Sequence, residues 1–345
     1  MDIGIVGATG YGGADLIRIL RNHPEVDNLK LYSSSQSGES IQNSFPHLQR
    51  LSEVRLQDIN PGLMGKSLDV VFMATPAGIS SELTPELLKE GLRVIDLSGD
   101  FRIKDSNIYE EWYRKKPAPV QWVEKAVYGL TEWNKRAVTD AQLLANPGCY
   151  PTATLLGLLP LVQRSLLEES SVIIDAKTGV SGAGRGFSAA AHFSETNENF
   201  KIYKVNRHQH TPEIEQELAR WNGRAEPVTF SPHLVPMTRG IMATMYAKLT
   251  DAVTEEEVRK IFQDSYQQAP FVSVRKAEDF PETKQVYGSN QCDIGVSYDD
   301  RTGRIMIVSV IDNLMKGAAG QAVQNFNVMF GFEETAGLDF LPVYP

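Results

Sequence analysis

Asp2-Ile3-Gly4-Ile5-Val6-Gly7-Ala8-Thr9-Gly10-Tyr11-Gly12-Gly13 decides the fold. Residues 2–6 read as a short buried strand that runs straight into a glycine-rich turn. Ala14, Leu16, Ile17, Ile19 and Leu20 then supply the apolar face of a helix that stops before His23-Pro24. Strand, glycine turn and helix are the context of a dinucleotide site, because glycine lets the backbone approach a pyrophosphate lying over a helix N-terminus. The spacing is G-x-x-G-x-x-G instead of the usual G-x-G-x-x-G, so the place of the turn after the first strand carries the reading more than the spacing does. Gly7, Thr9, Gly10, Tyr11 and Gly12 are the expected cofactor contacts here.

Working outward, a second strand near residues 29–32 ends in Ser33-Ser34-Ser35-Gln36-Ser37-Gly38. An NAD site usually has an acidic side chain at this point to bind the ribose diol. Ser33, Ser34 and Ser35 offer hydroxyls instead, which favours NADP(H), although the loop has no arginine for a 2′-phosphate. Residues 68–74 and 93–97 read as further β-branched strands with a helix over 79–89 between them, and 143–146 as a last short one. Strands alternating with helices imply a doubly wound parallel sheet, whose ligands gather beyond the carboxyl ends of the strands. The loops 74–78 and 98–102 lie there. The aromatic, charged, proline-punctuated stretch 107–119 reads as an insertion with no assigned role.

The last of these strands leads into Asn146-Pro147-Gly148-Cys149-Tyr150-Pro151-Thr152 and then a long apolar run to Val162 that suits a buried helix. Pro151 fits a first helical turn, where a missing N–H costs nothing. Cys149 would then sit at a helix N-terminus, where amides and the helix dipole favour the nucleophilic thiolate. A buried structural cysteine is the bland alternative. Further on, Thr211 reads as the N-cap of a helix that runs to about Trp221, with Pro212 first inside it and Glu213 complementing its dipole. That capped start would fix His210, as a general acid/base requires; His208 could also reach the site. The glycine-rich loop 178–186, with Arg185, could bind an anion. Residues 171–177, 227–235, 241–249, 291–298 and 305–311, with a helix over 255–268, suggest an α+β second domain on a largely antiparallel sheet. Cys292, inside one of those strands, reads as packing.

A formal net charge of -9 without basic runs argues against nucleic acid or an anionic membrane as partner. No apolar stretch reads as membrane-spanning, and residues 1–7 enter a folded pattern with no targeting signal. The two cysteines have no metal-site spacing and make a disulfide framework very unlikely, which points to the cytoplasm. His208-x-His210 with His233 lacks a convincing third ligand, so no metal is expected. A thiolate, a histidine and a nicotinamide site together suit hydride exchange on an acyl group held as a thioester.

Residues 144–153, continued to Gly157 and Pro160, resemble the active-site signature of the N-acetyl-γ-glutamyl-phosphate reductase family of arginine biosynthesis. The turn 7–13, His208-Gln209-His210-Thr211-Pro212-Glu213 and the stretch from Asp312 to Gln321 resemble the same family in the same order, over nearly the whole chain. The turn and the last helix are also similar to those of aspartate-semialdehyde dehydrogenases. The resemblance implies an NADPH-dependent reduction of an acyl phosphate: Cys149 forms the thioester, phosphate leaves, and His210 activates the thiol and returns a proton. It also places the nicotinamide half near Ser181, Gly182, Ala183 and Asn313, with Lys316 close by. Arg102 resembles the phosphate-binding arginine of the semialdehyde dehydrogenases, a role that suits a planar bidentate donor, although a structural salt bridge would equally explain it. Asn146 and His208 join it as expected substrate contacts. On this reading 1–148 and 313–345 form a discontinuous Rossmann-type nucleotide domain, and 149–312 form the catalytic domain, whose sheet builds a homo-oligomer, dimer or tetramer. The rivals are an aminoadipyl-phosphate reductase, aspartate-semialdehyde dehydrogenase, and a non-catalytic NADP-binding regulator, against which the presence of both Cys149 and His210 speaks.

Overall fold

Strand β1 (Asp2–Val6) lies parallel to β2 (Asn28–Tyr32) on one side and β3 (Val70–Met73) on the other. With β4 (Arg93–Asp96), β5 (Val127–Tyr128) and β6 (Leu143–Ala145) they form an all-parallel sheet in the order β2-β1-β3-β4-β6-β5. The chain leaves β1 toward one edge and returns to build the other half from β3, so the topological switch lies between β1 and β3. Val70, Val71, Phe72 and Met73 are all fully buried, as a strand covered on both faces requires. This computed structural model describes residues 1–50, 54–223, 226–251 and 253–345.

Two elements of this sheet escape a reading by periodicity. Strand β5 is only Val127-Tyr128, too short to show a period, and the helix Thr131–Thr139 has a non-helical residue, Asn134, in its middle. The stretch 107–119, read on sequence as an insertion with no role, begins in a regular element. It contains most of a helix, Ser106–Tyr113, whose first amides are capped by Asp105 and which Arg114 ends in the left-handed conformation (φ 55°).

The second sheet is built from β7 (Leu167–Gly179), β8 (Lys201–Ile202), β9 (Thr229–Val235), β10 (Ile241–Leu249), β11 (Val272–Val274), β12 (Cys292–Asp299) and β13 (Arg304–Ile311). Its order is β11-β12-β13-β10-β7-β9-β8, with four antiparallel pairings and two parallel ones, β7 with β9 and β11 with β12. Val172, Ile174 and Ala176 of β7 are buried, while Ile173, Asp175 and Lys177 between them are exposed or half-buried. The buried face carries the helix Cys149–Val162, which packs on β10 and β13; a side chain at Gly157 would run into Met245 of β10.

The chain forms two compact units, Met1–Pro147 with Ala318–Asp339, and Gly148–Gly317 with Phe340–Pro345. Residues 313–317, grouped on sequence with the nucleotide domain, fall in the second unit. Local bonding explains this: the Asn313 side chain accepts from the Gly240 N–H and donates to Ser181, and Asp312 accepts the N–H groups of Leu314 and Met315.

Candidate active site

In the first unit the glycine turn has an inner and an outer side. Gly7 (φ +85°) lies against the Ala74 carbonyl, which leaves no room for a Cβ, and a Cβ on Gly13 would meet the Gly7 carbonyl at 2.6 Å. On the outer side, a Cβ on Gly12 would meet nothing within 4 Å. The helix Tyr11–Leu20 that follows has Gly10 as N-cap, no side-chain cap and no acidic residue in its first turn. Its first amides can therefore be reached by an anionic group from outside, and a pyrophosphate fits that requirement. Thr9 and Gly10 are half-buried and Tyr11 is exposed on this turn. At the end of β2, Ser34 and Ser35 are exposed, whereas Ser33 is buried with its hydroxyl accepting the Gln36 N–H.

The loop 98–102 is held from both sides. Asp100, buried, accepts from the Gly78 and Ser81 N–H groups and from the Tyr109 hydroxyl at 2.6 Å. Burial, reinforced by Asp100, pushes the Tyr109 phenol far above its ordinary range, so it stays protonated and donates. Tyr109 stacks on Tyr113 at 4.6 Å, which gives the 107–119 stretch a role: its helix braces this loop. Arg102 donates from Nε to the Asn146 carbonyl (2.7 Å) and from Nη2 to the Leu97 carbonyl (2.9 Å). These carbonyls orient the guanidinium, and the buried Asp96 carboxylate interacts electrostatically with it. Asn146 is fully buried; its amide donates to the Ala318 carbonyl and accepts from Asn325, so its side chain ties the turn together inside the first unit.

In the second unit Cys149 is the first residue of its helix, with Gly148 as N-cap. The Gly148 N–H donates to Glu213 Oε1 (2.8 Å), and the Gly148 carbonyl accepts from the Thr152 N–H and hydroxyl, both at 2.9 Å. A Cβ on Gly148 would lie 2.5 Å from His210 Nε2, and one on Gly317 would lie 2.7 Å from the Cys149 Cβ. Cys149 is thus hemmed in by close approach at Gly148 and at Gly317. Neither Cys149 nor Cys292 is disulfide-bonded.

His210 is the N-cap of the helix Thr211–Asn222, and its carbonyl accepts the Ile214 N–H. The sequence reading put Thr211 at that cap. His210 takes the position because its carbonyl accepts the first intrahelical bond, from the Ile214 N–H, which moves Thr211 and Pro212 one place inward. His208 is buried, with Nδ1 accepting the His210 N–H (3.1 Å) and Nε2 3.3 Å from the Tyr203 hydroxyl. Tyr203 donates to the Tyr150 hydroxyl, and Tyr150 to the His233 carbonyl, both at 3.3 Å. Burial first, then the charge of Lys204, push His208 down to about 3, so its ring is neutral at physiological pH. Glu213, Tyr150 and Tyr203 were not among the expected site residues. Only Glu213 left a signal, its place three residues after His210, which reads equally well as a dipole contact.

Ser181, Gly182 and Ala183 form a short 3-10 turn in the second unit, and Asn313 holds it through Ser181. Lys316 is fully buried there, its ammonium 5.6 Å from the centre of the Phe271 ring. Among the described residues, no three His, Cys, Asp or Glu side chains are grouped to hold a metal ion, and no helix is long and apolar enough to cross a membrane.

Comparison with known proteins gives the same outline. Residues 2–141 match the family model "semialdehyde dehydrogenase, NAD binding domain", and residues 149–313 match "semialdehyde dehydrogenase, dimerisation domain". The chain is 59% identical to the N-acetyl-gamma-glutamyl-phosphate reductase of Geobacillus sp. (strain WCH70) and 57% identical to that of Bacillus subtilis (strain 168), each over 345 residues and 100% of both chains. Its fold is similar to that of Vibrio cholerae aspartate semialdehyde dehydrogenase II, with TM-score 0.72 at 19% identity over 95% of this chain and 97% of that one. The Candida albicans aspartate semialdehyde dehydrogenase with NADP gives TM-score 0.70 at 15% identity over 97% and 98%.

Proposed function

The chain belongs to the N-acetyl-γ-glutamyl-phosphate reductase family of semialdehyde dehydrogenases, and on that premise we propose that it reduces N-acetyl-L-glutamyl 5-phosphate to N-acetyl-L-glutamate 5-semialdehyde and phosphate, a step of arginine biosynthesis. The observation that carries the mechanism is the packing around Gly148: His210 Nε2 fills the space where a Cβ would be, beside a cysteine at a helix N-terminus. His210 takes the thiol proton as Cys149 Sγ attacks the acyl carbon. The carbon–sulfur bond forms, the carbon–oxygen bond to phosphate breaks, and a thioester remains on the enzyme. Bound NADPH supplies the hydride that takes this acyl group to the aldehyde level. Sulfur then departs and recovers its proton from His210.

Arg102 holds the phosphate in this reading, its planar guanidinium oriented by the Asn146 and Leu97 carbonyls. The outer side of the turn at Gly10 and Gly12 receives the pyrophosphate of NADP(H), Ser34 and Ser35 lie toward the 2′-phosphate, and the turn Ser181-Gly182-Ala183 receives the nicotinamide half. Asn313 contributes by shaping that turn, since its amide is engaged by Gly240 and Ser181. The Asn146 side chain, bonded inside the first unit, acts by holding its carbonyl where Arg102 needs it. The exposed apolar residues Ile173, Phe200 and Ile202 of the second unit support assembly into a homo-oligomer through that sheet. Two cysteines without a disulfide fit a cytoplasmic enzyme.

The test is phosphate-dependent NADP reduction with N-acetylglutamate, N-acetylaminoadipate and aspartate semialdehydes side by side. The highest kcat/KM is expected for the first. One methylene is worth about 1–3 kcal/mol of discrimination, so a preference of roughly 10- to 200-fold is the expected scale. A higher value for either rival would reassign the substrate.

A further inference from the structure

We propose that His208 is a positioning residue for the reaction above, not a substrate contact: as a neutral imidazole it clamps the His210 backbone through Nδ1 and is itself held at Nε2 by Tyr203. The proposal rests on His210 being the proton carrier. Its basis is geometric. The His210 N–H points at His208 Nδ1, so that nitrogen must be the acceptor and the ring proton must sit on Nε2. Tyr203 donates its own proton to Tyr150, so its oxygen is free to accept from Nε2–H, and Tyr150 donates in turn to the His233 carbonyl. With the proton on Nε2, the donors run from His208 through Tyr203 and Tyr150 to the His233 carbonyl. Protonating His208 would place an N–H at Nδ1 facing the His210 N–H, donor against donor.

The side chain thus makes the contact that Asn or Asp makes in an Asx-turn, from residue i to the N–H of residue i+2. The same clamp occurs in the first unit, where His23 Nδ1 accepts the Glu25 N–H (3.2 Å) and Nε2 bonds Asn327 Oδ1 (2.8 Å). There it pins a plain turn between a helix and a strand. In the second unit the pinned residue is the histidine packed on Gly148, so the turn aims a catalytic ring. Edge-to-face packing of His208 on Tyr150 (5.4 Å) and Phe230 (5.4 Å) keeps the ring from rotating. Of the charged and titratable groups around it, Lys204 opposes protonation, while Tyr203, Tyr150 and His210 are met through the contacts above.

Three substitutions separate the two nitrogens. Asparagine places an acceptor near Nδ1, glutamine places polar atoms near Nε2, and leucine has neither. If His208 positions His210, kcat should fall by about 100-fold in His208→Leu and His208→Gln, the scale of an ångström-level misplacement, and by much less in His208→Asn. KM for the semialdehyde should stay within about twofold in all three, because a misaligned proton carrier slows turnover without removing a binding contact. A KM that rises in His208→Asn and His208→Leu and is restored in His208→Gln would overturn the proposal and make Nε2 a substrate ligand. In the parent protein, ¹⁵N NMR should show the Nε2–H tautomer unchanged between pH 5 and 8; a ring that titrates in that window overturns it without any variant. His210→Asn distinguishes failure of the underlying reading: if it leaves kcat unchanged, His210 is not the proton carrier, whatever His208 does.

Discussion

Two helix N-termini in this molecule are built alike and packed oppositely. The helix Tyr11–Leu20 and the helix Cys149–Val162 both follow a sheet strand, both have glycine as N-cap, and neither has a side-chain cap or an acidic residue in its first turn. At the first, Gly12 faces open space, and a Cβ on Gly10 would meet only the Gly7 carbonyl, at an ordinary contact distance of 3.5 Å. At the second, Gly148 and Cys149 are pressed by His210, Glu213 and Gly317. An unfilled N-terminus serves a ligand that arrives from solution and leaves, because its amides must stay reachable. A filled one suits the nucleophile proposed for Cys149, because the sulfur needs a fixed direction more than it needs room. Glycine does both jobs for opposite reasons, by leaving space and by yielding it.

Substitutions at the two termini should therefore separate cleanly. Cys149→Ser should have the largest effect, abolishing turnover while NADPH still binds, since a hydroxyl ionises far less readily than a thiol; retained turnover would remove the nucleophile from the closed terminus. His210→Asn should lower kcat by about 100- to 10,000-fold and slow Cys149 alkylation at neutral pH, with more activity left than in Cys149→Ser. Gly148→Ala forces a methyl into the His210 ring, so kcat should drop by about 10- to 100-fold with NADPH affinity unchanged. Gly12→Ala should do the reverse. A methyl there meets nothing in the protein and replaces glycine inside a helix, so stability should rise by about 0.5–1 kcal/mol while NADPH binding weakens. Unchanged cofactor affinity in Gly12→Ala, measured by titration, would mean that the open turn is not the pyrophosphate site.

A pH effect on stability distinguishes the two histidine clamps from ordinary surface histidines. His208 is pushed down to about 3 and His23 is also lowered, both mainly by burial, so the unfolded chain takes up protons that the native chain refuses. Stability should be full above pH 6.5 and fall as pH drops through it. For His208 the loss at pH 5 is about 2 kcal/mol, from 1.36 kcal/mol per pH unit. Urea unfolding at pH 7 and pH 5 should show that pH-dependent loss reduced in His208→Asn; an identical loss would mean that His208 is charged in the native state.

What could be read from the sequence follows the physics of each feature. Residues 2–20 and 146–162 combine a period, a glycine and a helix start in one continuous stretch, so both the parallel sheet and the cysteine helix were legible. The mixed character of the second sheet was not, because the parallel pairing of β7 with β9 depends on partners about 55 positions apart. Strand β5 is too short to show a pattern. The bond from the His210 N–H to His208 Nδ1 was not legible, because a His-x-His sequence does not reveal that one ring is bonded to the backbone of the other residue. The brace at 107–119 rests on a single tyrosine hydroxyl reaching Asp100, a contact that composition hides behind charge and aromatics.

The most direct test of the closed terminus is to mix enzyme with the acyl phosphate in the absence of NADPH, and to follow phosphate release together with the intact mass of the protein. The expected result is a burst of about one phosphate per chain, matched by an acyl adduct that peptide mapping places on Cys149 and that Cys149→Ser lacks. Semialdehyde formation on later addition of NADPH with no preceding burst and no adduct, or an adduct on Cys292, would contradict it.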